Sequence, residues 1–330
     1  MKTKRFLSIV CVLAGATLFA SCSSCSACSV NQEILFNAGW LVDTTSKVLP
    51  TSAEELSYDV SYNKADGLYS SSYAIDYTNG TYTTTLKTAD HEGQTVYEYT
   101  TTLTISVAYT LKKTGETTQF ETPDSVTTKV LFTSAAKGLT PIKLTKTTYC
   151  HSPNGTDATK LENCYREYHY TVETLYTGTK GKSTITNHLN NDKTQKLKTF
   201  SAKHSEYSYL DNEQILFALR GMGTSSTSVS SYQPLEKAKK TVGISVGKKT
   251  GGEFEFDIVG KGKEKRAISY RPYTLTFEAK NPGASQTAWI ASTTNTTANT
   301  YRNVMLKLET PISYNFGSLV YTLTSAKFAE

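Results

Sequence analysis

The sequence predicts a mainly β protein built on one large, curved antiparallel sheet with one or two short helices. Three observations carry this expectation. About 53 threonines and 22 tyrosines load the chain with residue types that suit a pleated, half-buried surface. From Leu56 onward apolar residues recur at a period of two, which places them on one face of an extended chain. Between Tyr97 and Leu111 the alternation persists long enough for a strand of about 50 Å at roughly 3.3 Å per residue. So long a strand suits a curved sheet better than a compact sandwich.

The chain opens on Lys2, Lys4 and Arg5, followed by an apolar run from Phe6 to Ala20 that ends in small residues. That is the layout of a signal peptide, and the run is shorter than the roughly 20 residues that cross a bilayer. Cys22 follows Phe19-Ala20-Ser21, an arrangement similar to a bacterial lipobox with Phe where Leu is usual. Residues 1–21 are therefore expected to be removed and Cys22 to carry acyl chains. The Ser-rich stretch 22–30 reads as a lipidated tether and 31–330 as a single β-rich domain. The expected location is outside the cytoplasm, held to a bacterial membrane by the N-terminal lipid.

Asn31 to Val42 carries Ile34, Leu35, Phe36, Trp40 and Leu41 and reads as a short helix or a first strand. Leu56 to Tyr62 is a strand, with a turn at Ala65-Asp66-Gly67. Asn79-Gly80 predicts a hairpin joining Tyr73–Thr78 to Thr81–Lys87. In the long strand Tyr97, Tyr99, Leu103, Ile105, Val107, Tyr109 and Leu111 share one side. Strands follow at Val126–Phe132, Ile142–Tyr149, Tyr165–Tyr176, Ser183–Leu189 and Lys196–Phe200; in the third of these Tyr168, Tyr170, Val172 and Tyr176 share a face.

The period changes at Asp211. Asp-Asn-Glu-Gln214 fits a capping box, and Ile215, Leu216 and Leu219 with a stop at Gly221 mark a helix of about ten residues. The Ser/Thr run from Thr224 to Ser231 reads as a mobile linker or a lid. The last third returns to strands at Thr241–Val246, Glu253–Val259, Ala267–Phe277, Gln286–Ala291, Asn303–Glu309 and Leu319–Thr324.

Loss of residues 1–21 removes three bases and no acid, so the formal charge falls from +6 to +3. Nucleic-acid binding normally needs a concentrated basic stripe, whereas lysines here are spread along strands beside glutamates; no nucleic-acid partner is expected. Of the six cysteines, Cys11 lies in the discarded segment, Cys22 is the lipid site, and Cys25 and Cys28 lie in the tether. Cys150 and Cys164 remain, and in an oxidising compartment they could close the loop between them for about 3 kcal/mol. Two free buried thiols are the alternative.

Several motifs resemble active-site patterns without their context. Gly243-Ile-Ser-Val-Gly247 matches a nucleophile elbow, but a strand and not a helix follows, which makes Ser245 a strand serine. Gly181-Lys182-Ser183 ends like a phosphate loop, yet Tyr176 stands where the first glycine is required. Cys22, Cys25 and Cys28 have iron–sulfur spacing, which lipidation of the first thiol spoils. His91, His151, His169, His188 and His204 form no short metal-ligand pair. Gly260 to Arg266 is a basic turn, either a solvated hairpin end or a contact for anionic headgroups and wall polymers. No cofactor, metal or catalytic residue is expected.

Taken together, Glu55-Leu-Ser-Tyr-Asp-Val-Ser-Tyr62, Ile215-Leu-Phe-Ala-Leu-Arg-Gly221, Gln286-Thr-Ala-Trp-Ile290, Met305-Leu-Lys-Leu-Glu-Thr-Pro311 and Gly317-Ser-Leu-Val-Tyr-Thr-Leu323 resemble an uncharacterised bacterial family of exported proteins. That family looks like the periplasmic lipoprotein carrier LolA. The resemblance covers most of the chain after the tether, with residues 112–200 departing most. It implies an incomplete barrel of antiparallel strands with helix on the concave side, and a concavity able to hold an acyl chain. The expected function is a non-catalytic envelope lipoprotein, structural or binding a glycan or envelope protein, with carriage of an apolar ligand as the alternative. The residues that would line a ligand cavity, by strand phase and helix placement, are Leu103, Ile105, Val107, Tyr109, Tyr168, Tyr170, Phe217 and Phe256. Phase alone leaves open which side of the sheet is concave.

Overall fold

The computed structural model describes residues 53–135, 138–177, 180–197, 200–201, 210–235, 238–277, 285–292 and 303–328. In chain order the strands are β1 (Glu54–Lys64), β2 (Tyr73–His91), β3 (Gln94–Leu111), β4 (Glu116–Gln119), β5 (Asp124–Ala135), β6 (Gly138–Pro153), β7 (Tyr165–Thr177), β8 (Lys180–Asn187), β9 (Lys193–Lys196), β10 (Phe200–Ser201) and β11 (Leu210–Asp211). Helix α1 (Ile215–Ala218) follows, extended by 3-10 turns at Asn212–Gln214 and Leu219–Gly221. Then come β12 (Thr227–Gln233), β13 (Ala238–Val246), β14 (Thr250–Ile258), β15 (Gly262–Phe277), β16 (Gln286–Ala291), β17 (Met305–Pro311) and β18 (Gly317–Lys327). The fold is mainly β, with one short helix and a barrel-like sheet, as the period-two pattern requires.

All eighteen strands belong to one sheet. β1 lies at its middle, between β2 and β18. One arm runs outward through β2, β3, β5, β6, β7 and β8 as antiparallel neighbours. The other runs from β18 through β17, β16 and β15 to β13 and β12. β13 and β14 lie end to end along the same edge of β15, Val246 opposite Tyr273 and Thr250 opposite Tyr270. The tip of β14 then returns to β18, with Asp257 and Ile258 beside Ser325 and Ala326, so this arm curls back on itself.

In β3 every odd-numbered residue from Tyr97 to Leu111 is buried, while the even-numbered residues are at least partly exposed. The phase read from the sequence is therefore the inward phase, and tyrosines of the neighbouring strands β1, β2 and β18 pack together on that face. Tyr82 packs on Tyr58 at 5.6 Å and on Tyr321 at 5.2 Å between ring centres.

Two local expectations are corrected. Asn79-Gly80 is not a hairpin turn, because β2 runs through it and both halves pair with β3: Ile75 faces Tyr109 and Tyr82 faces Leu103. The register slips there by one residue, which is a β-bulge. Asn79 supplies the left-handed backbone with φ of 53°, and a Cβ on Gly80 would lie 2.5 Å from the Val60 carbonyl oxygen. The true reversal is at Glu92-Gly93, both at positive φ, as a two-residue turn of the mirror-image type requires. The Ser/Thr run, expected as linker or lid, instead supplies β12, paired to β13 along its length and to β11 at Ser231 and Tyr232.

Candidate functional site

Helix α1 occupies the inside of the curve. Asp211 caps it, its Oδ1 accepting from the Glu213 N–H at 2.9 Å. The reciprocal half of the capping box is not made; Gln214 is fully buried and its side-chain atoms find no partner among the described residues. Ile215, Phe217, Ala218 and Leu219 are all buried and Leu216 partly so, an all-round apolar character that belongs to a helix surrounded by protein. The Phe217 ring packs against Tyr99 of β3 at 4.8 Å and Phe132 of β5 at 5.3 Å.

Charges lock both ends of this plug. Arg220 forms a two-pronged pair with Glu54 of β1 at 2.5 and 3.0 Å, with both side chains almost fully buried. Burial disfavours the Arg220 charge, but the Glu54 carboxylate outweighs it and raises the guanidinium pKa. Lys146 of β6 donates to Glu213 at 2.7 Å. Burial lowers the Lys146 pKa, and the Glu213 carboxylate more than restores it. Tyr176 of β7 donates a short hydrogen bond to Asp211 Oδ2. Burial pushes the Asp211 carboxyl up to about 7, with Glu213 adding to the rise and the Tyr176 hydroxyl, the Glu213 N–H and Lys146 opposing it.

The two arms of the sheet also meet here. Besides Tyr176–Asp211, the hydroxyls of Ser183 on β8 and Tyr232 on β12 lie 3.2 Å apart. Among the described residues the barrel closes across this seam through side chains and not through a ladder between β8 and β12.

The residues expected to line a ligand cavity form the packed core instead. Leu103, Ile105 and Tyr109 have 0% exposure, so no void that admits a water touches them. Val107, Tyr170, Phe217 and Phe256 are also buried, and Tyr168 packs against the same cluster. Strand phase found the inward face, and at these positions it is packed, with the Phe217 ring of the helix set against Tyr99 and Phe132. A cleft of about 90 Å³ does lie at the C-terminal end of the helix, with Leu219, Met222 and Ile290 as apolar walls and Arg271, Asn303 and Thr224 as polar ones. None of the eight sequence candidates lines it.

Cys22 lies outside the described residues. The Cys150–Cys164 disulfide is corrected: Cys164 is a buried free thiol, and Cys150 is in a disulfide whose other half lies outside the described residues. Register is the reason. On the β6–β7 ladder Cys150 faces Tyr168 and Pro153 faces Tyr165, so Cys164 falls four positions from Cys150's partner. At about 3.3 Å per residue that is roughly 13 Å along the strand, beyond the reach of a disulfide. Burial, with Glu116 adding to it, pushes the Cys164 thiol up to about 11.

His151 is paired with Asp124, Nδ1 to Oδ1 at 2.8 Å, and its ring stacks on Phe120 at 3.5 Å. His169 and His188 come within 4.6 Å of each other, yet no group of three metal-ligating side chains forms among the described residues. In the basic turn Arg266 is folded back onto the carbonyls of Phe256, Gly262 and Glu264.

No protein-family model matches this chain, and no curated protein matches it. Among solved structures it is similar to a β-barrel-like protein of a domain of unknown function, DUF1849, from Brucella abortus. The two share 10% sequence identity at a TM-score of 0.45, over 86% of this chain and 100% of that one.

Proposed function

We propose that the chain is an envelope lipoprotein, acylated on Cys22, whose β-rich body acts without catalysis by binding a glycan or protein partner of the envelope. One observation favours this over carriage of an acyl chain: the space inside the sheet is taken by α1, with Phe217 wedged between Tyr99 and Phe132. An apolar ligand of acyl size would need a cavity of at least about 300 Å³, and the inner-face residues Leu103, Ile105 and Tyr109 have no exposed surface to line one.

Labelled fatty acid should enter the wild-type protein and not Cys22→Ser; label retained by the variant ends the anchor reading. Protein extracted from its own envelope should show, in native mass spectrometry, the mass of the acylated chain alone. A stoichiometric second lipid, held after the anchor is removed by proteolysis in the tether, would overturn the partner-binding reading in favour of carriage.

A further inference from the structure

We infer that the outer face of the arm from β2 to β8 binds a neutral β-linked glycan, laid across the strands along a row of threonine hydroxyls. This names the site and the ligand class for the glycan form of the envelope reading and rests on that reading. Thr83 of β2 faces Thr102 of β3, Thr102 faces Thr127 of β5, and the succession continues through Thr147 of β6, Thr171 of β7 and Thr186 of β8. None of these threonines is buried. Their hydroxyls are joined in places, Thr102 to Thr127 at 3.5 Å and Thr147 to Thr171 at 3.1 Å. Threonine suits strands and Thr–Thr pairs stabilise them, but that preference alone does not keep a row unmixed. The next row on the same face runs through Thr100, Lys129, Thr145 and Glu173.

Charge, spacing and neighbouring rings select the occupant. The threonines carry no charge, and the charges beside them are paired, Lys129 with Glu98 at 3.4 Å and Lys143 with Glu173 at 3.8 Å, so the face suits a neutral ligand and gives a polyanion little attraction. Neighbouring strands set one hydroxyl roughly every 4.8 Å, or about 24 Å along the row. An extended peptide advances roughly 3.3 Å per residue and falls out of step with it, whereas successive rings of an extended β-linked glycan keep nearly the step of the strands. Two residues along from Thr147 and Thr171, Tyr149 and His169 face each other with ring centres 5.3 Å apart. His188 lies 4.6 Å from His169, and its Nε2 is 2.9 Å from the Thr171 hydroxyl. All three rings are partly exposed. They offer the C–H side of a sugar an aromatic surface, while each threonine hydroxyl can both donate to and accept from the sugar's own hydroxyls.

Saturation-transfer NMR on the full chain, titrated separately with cellohexaose, chitohexaose and maltohexaose, tests this. At least one of the two β-linked hexamers should bind saturably with a Kd on the order of a millimolar. Maltohexaose, whose α-linkages coil the chain out of step, should bind at least about fivefold more weakly. Thr127→Val combined with Thr147→Val keeps the branched side chains that strands favour and removes two hydroxyls from the middle of the row. It should weaken the β-linked hexamer by about fivefold or more without moving the urea midpoint, and Tyr149→Ala, at a partly exposed ring, should weaken it too. Thr276→Val, at an exposed position of β15 on the other arm, should leave binding unchanged. Binding of a β-linked hexamer that both the double variant and Tyr149→Ala leave untouched would overturn the row as the site while the glycan reading stands. No saturable binding of either β-linked hexamer by wild type up to about 5 mM, or maltohexaose binding as tightly, would overturn the proposal, and the acylation test of the anchor is independent of both results.

Discussion

Asp211 makes the stability of this fold fall as pH rises through neutrality. Its carboxyl is pushed up to about 7 in the folded protein from an ordinary value of 3.8. The folded state therefore holds a proton that the unfolded chain has already lost, and the stabilisation from that proton vanishes as pH passes the folded pKa. At pH 5 the folded carboxyl is protonated and the unfolded one mostly ionised; at pH 9 both are ionised. The difference is close to two log units of proton affinity, or about 3 kcal/mol lost between pH 5 and pH 9 at roughly 1.4 kcal/mol per unit. The groups facing it are Glu213, Lys146, Tyr176 and Tyr232. Lys146 and Tyr232 are both raised above their ordinary ranges, so they keep their protons across most of this window. Burial raises Asp124 as well, against the pull of His151, and it adds a slope of the same sign. The assay is therefore a comparison: urea melts of wild type and Asp211→Asn from pH 5 to pH 9. The amide keeps an acceptor for the Glu213 N–H and a partner for Tyr176 but cannot ionise. The wild type should lose about 2 to 3 kcal/mol more than the variant over this range; parallel pH profiles would refute the reasoning.

Three further outcomes follow from the packing. Glu54→Gln leaves the buried Arg220 charge uncompensated and should cost about 3 to 5 kcal/mol, most of it recovered when Arg220→Met is added, as read in denaturant melts. Phe217→Ala should cost about 3 to 5 kcal/mol, since the ring fills the gap between Tyr99 and Phe132; a loss under about 1 kcal/mol would show that the helix does not support the barrel. Cys164, buried and with its thiol pushed up to about 11, should resist iodoacetamide at pH 8 in the native protein and react on unfolding, while Cys150 should need a reductant as well.

The sheet was legible because alternation survives over long strands, and a two-residue period fixes the inward face without any knowledge of neighbours. The helix and its Asp211 cap were legible for a similar reason, the pattern being local. Asn79-Gly80 was misread because a turn-forming dipeptide also suits a bulge; only the pairing of both halves of β2 with β3 separates the two. The Cys150–Cys164 pair failed for want of register: the ladder offsets the two by four positions, which composition does not decide. The polar locks were missed although the sequence marks them. Glu54 shares phase with Leu56, Tyr58 and Val60, Asp124 with Val126 and Val130, Lys146 with Leu144, and Arg271 with Tyr273 and Leu275. A charge standing in the apolar phase of a strand is the signal, because only a partner inside the barrel makes it tolerable.

Three of those four charges have found their partner within the chain: Glu54 in Arg220, Asp124 in His151 and Lys146 in Glu213. Two of the three partners lie on the segment that plugs the barrel, so the helix is held by groups that lose their counter-charge if it leaves. Withdrawing the plug to admit an apolar ligand would expose Phe217 and Leu219 and strand Glu54 and Lys146 facing a dry interior, a cost of several kcal/mol per uncompensated charge. An acyl chain brings no charge to replace either partner. A carrier that opened by moving α1 would thus oppose its own electrostatics, whereas a partner bound at the rim leaves every one of these pairs intact.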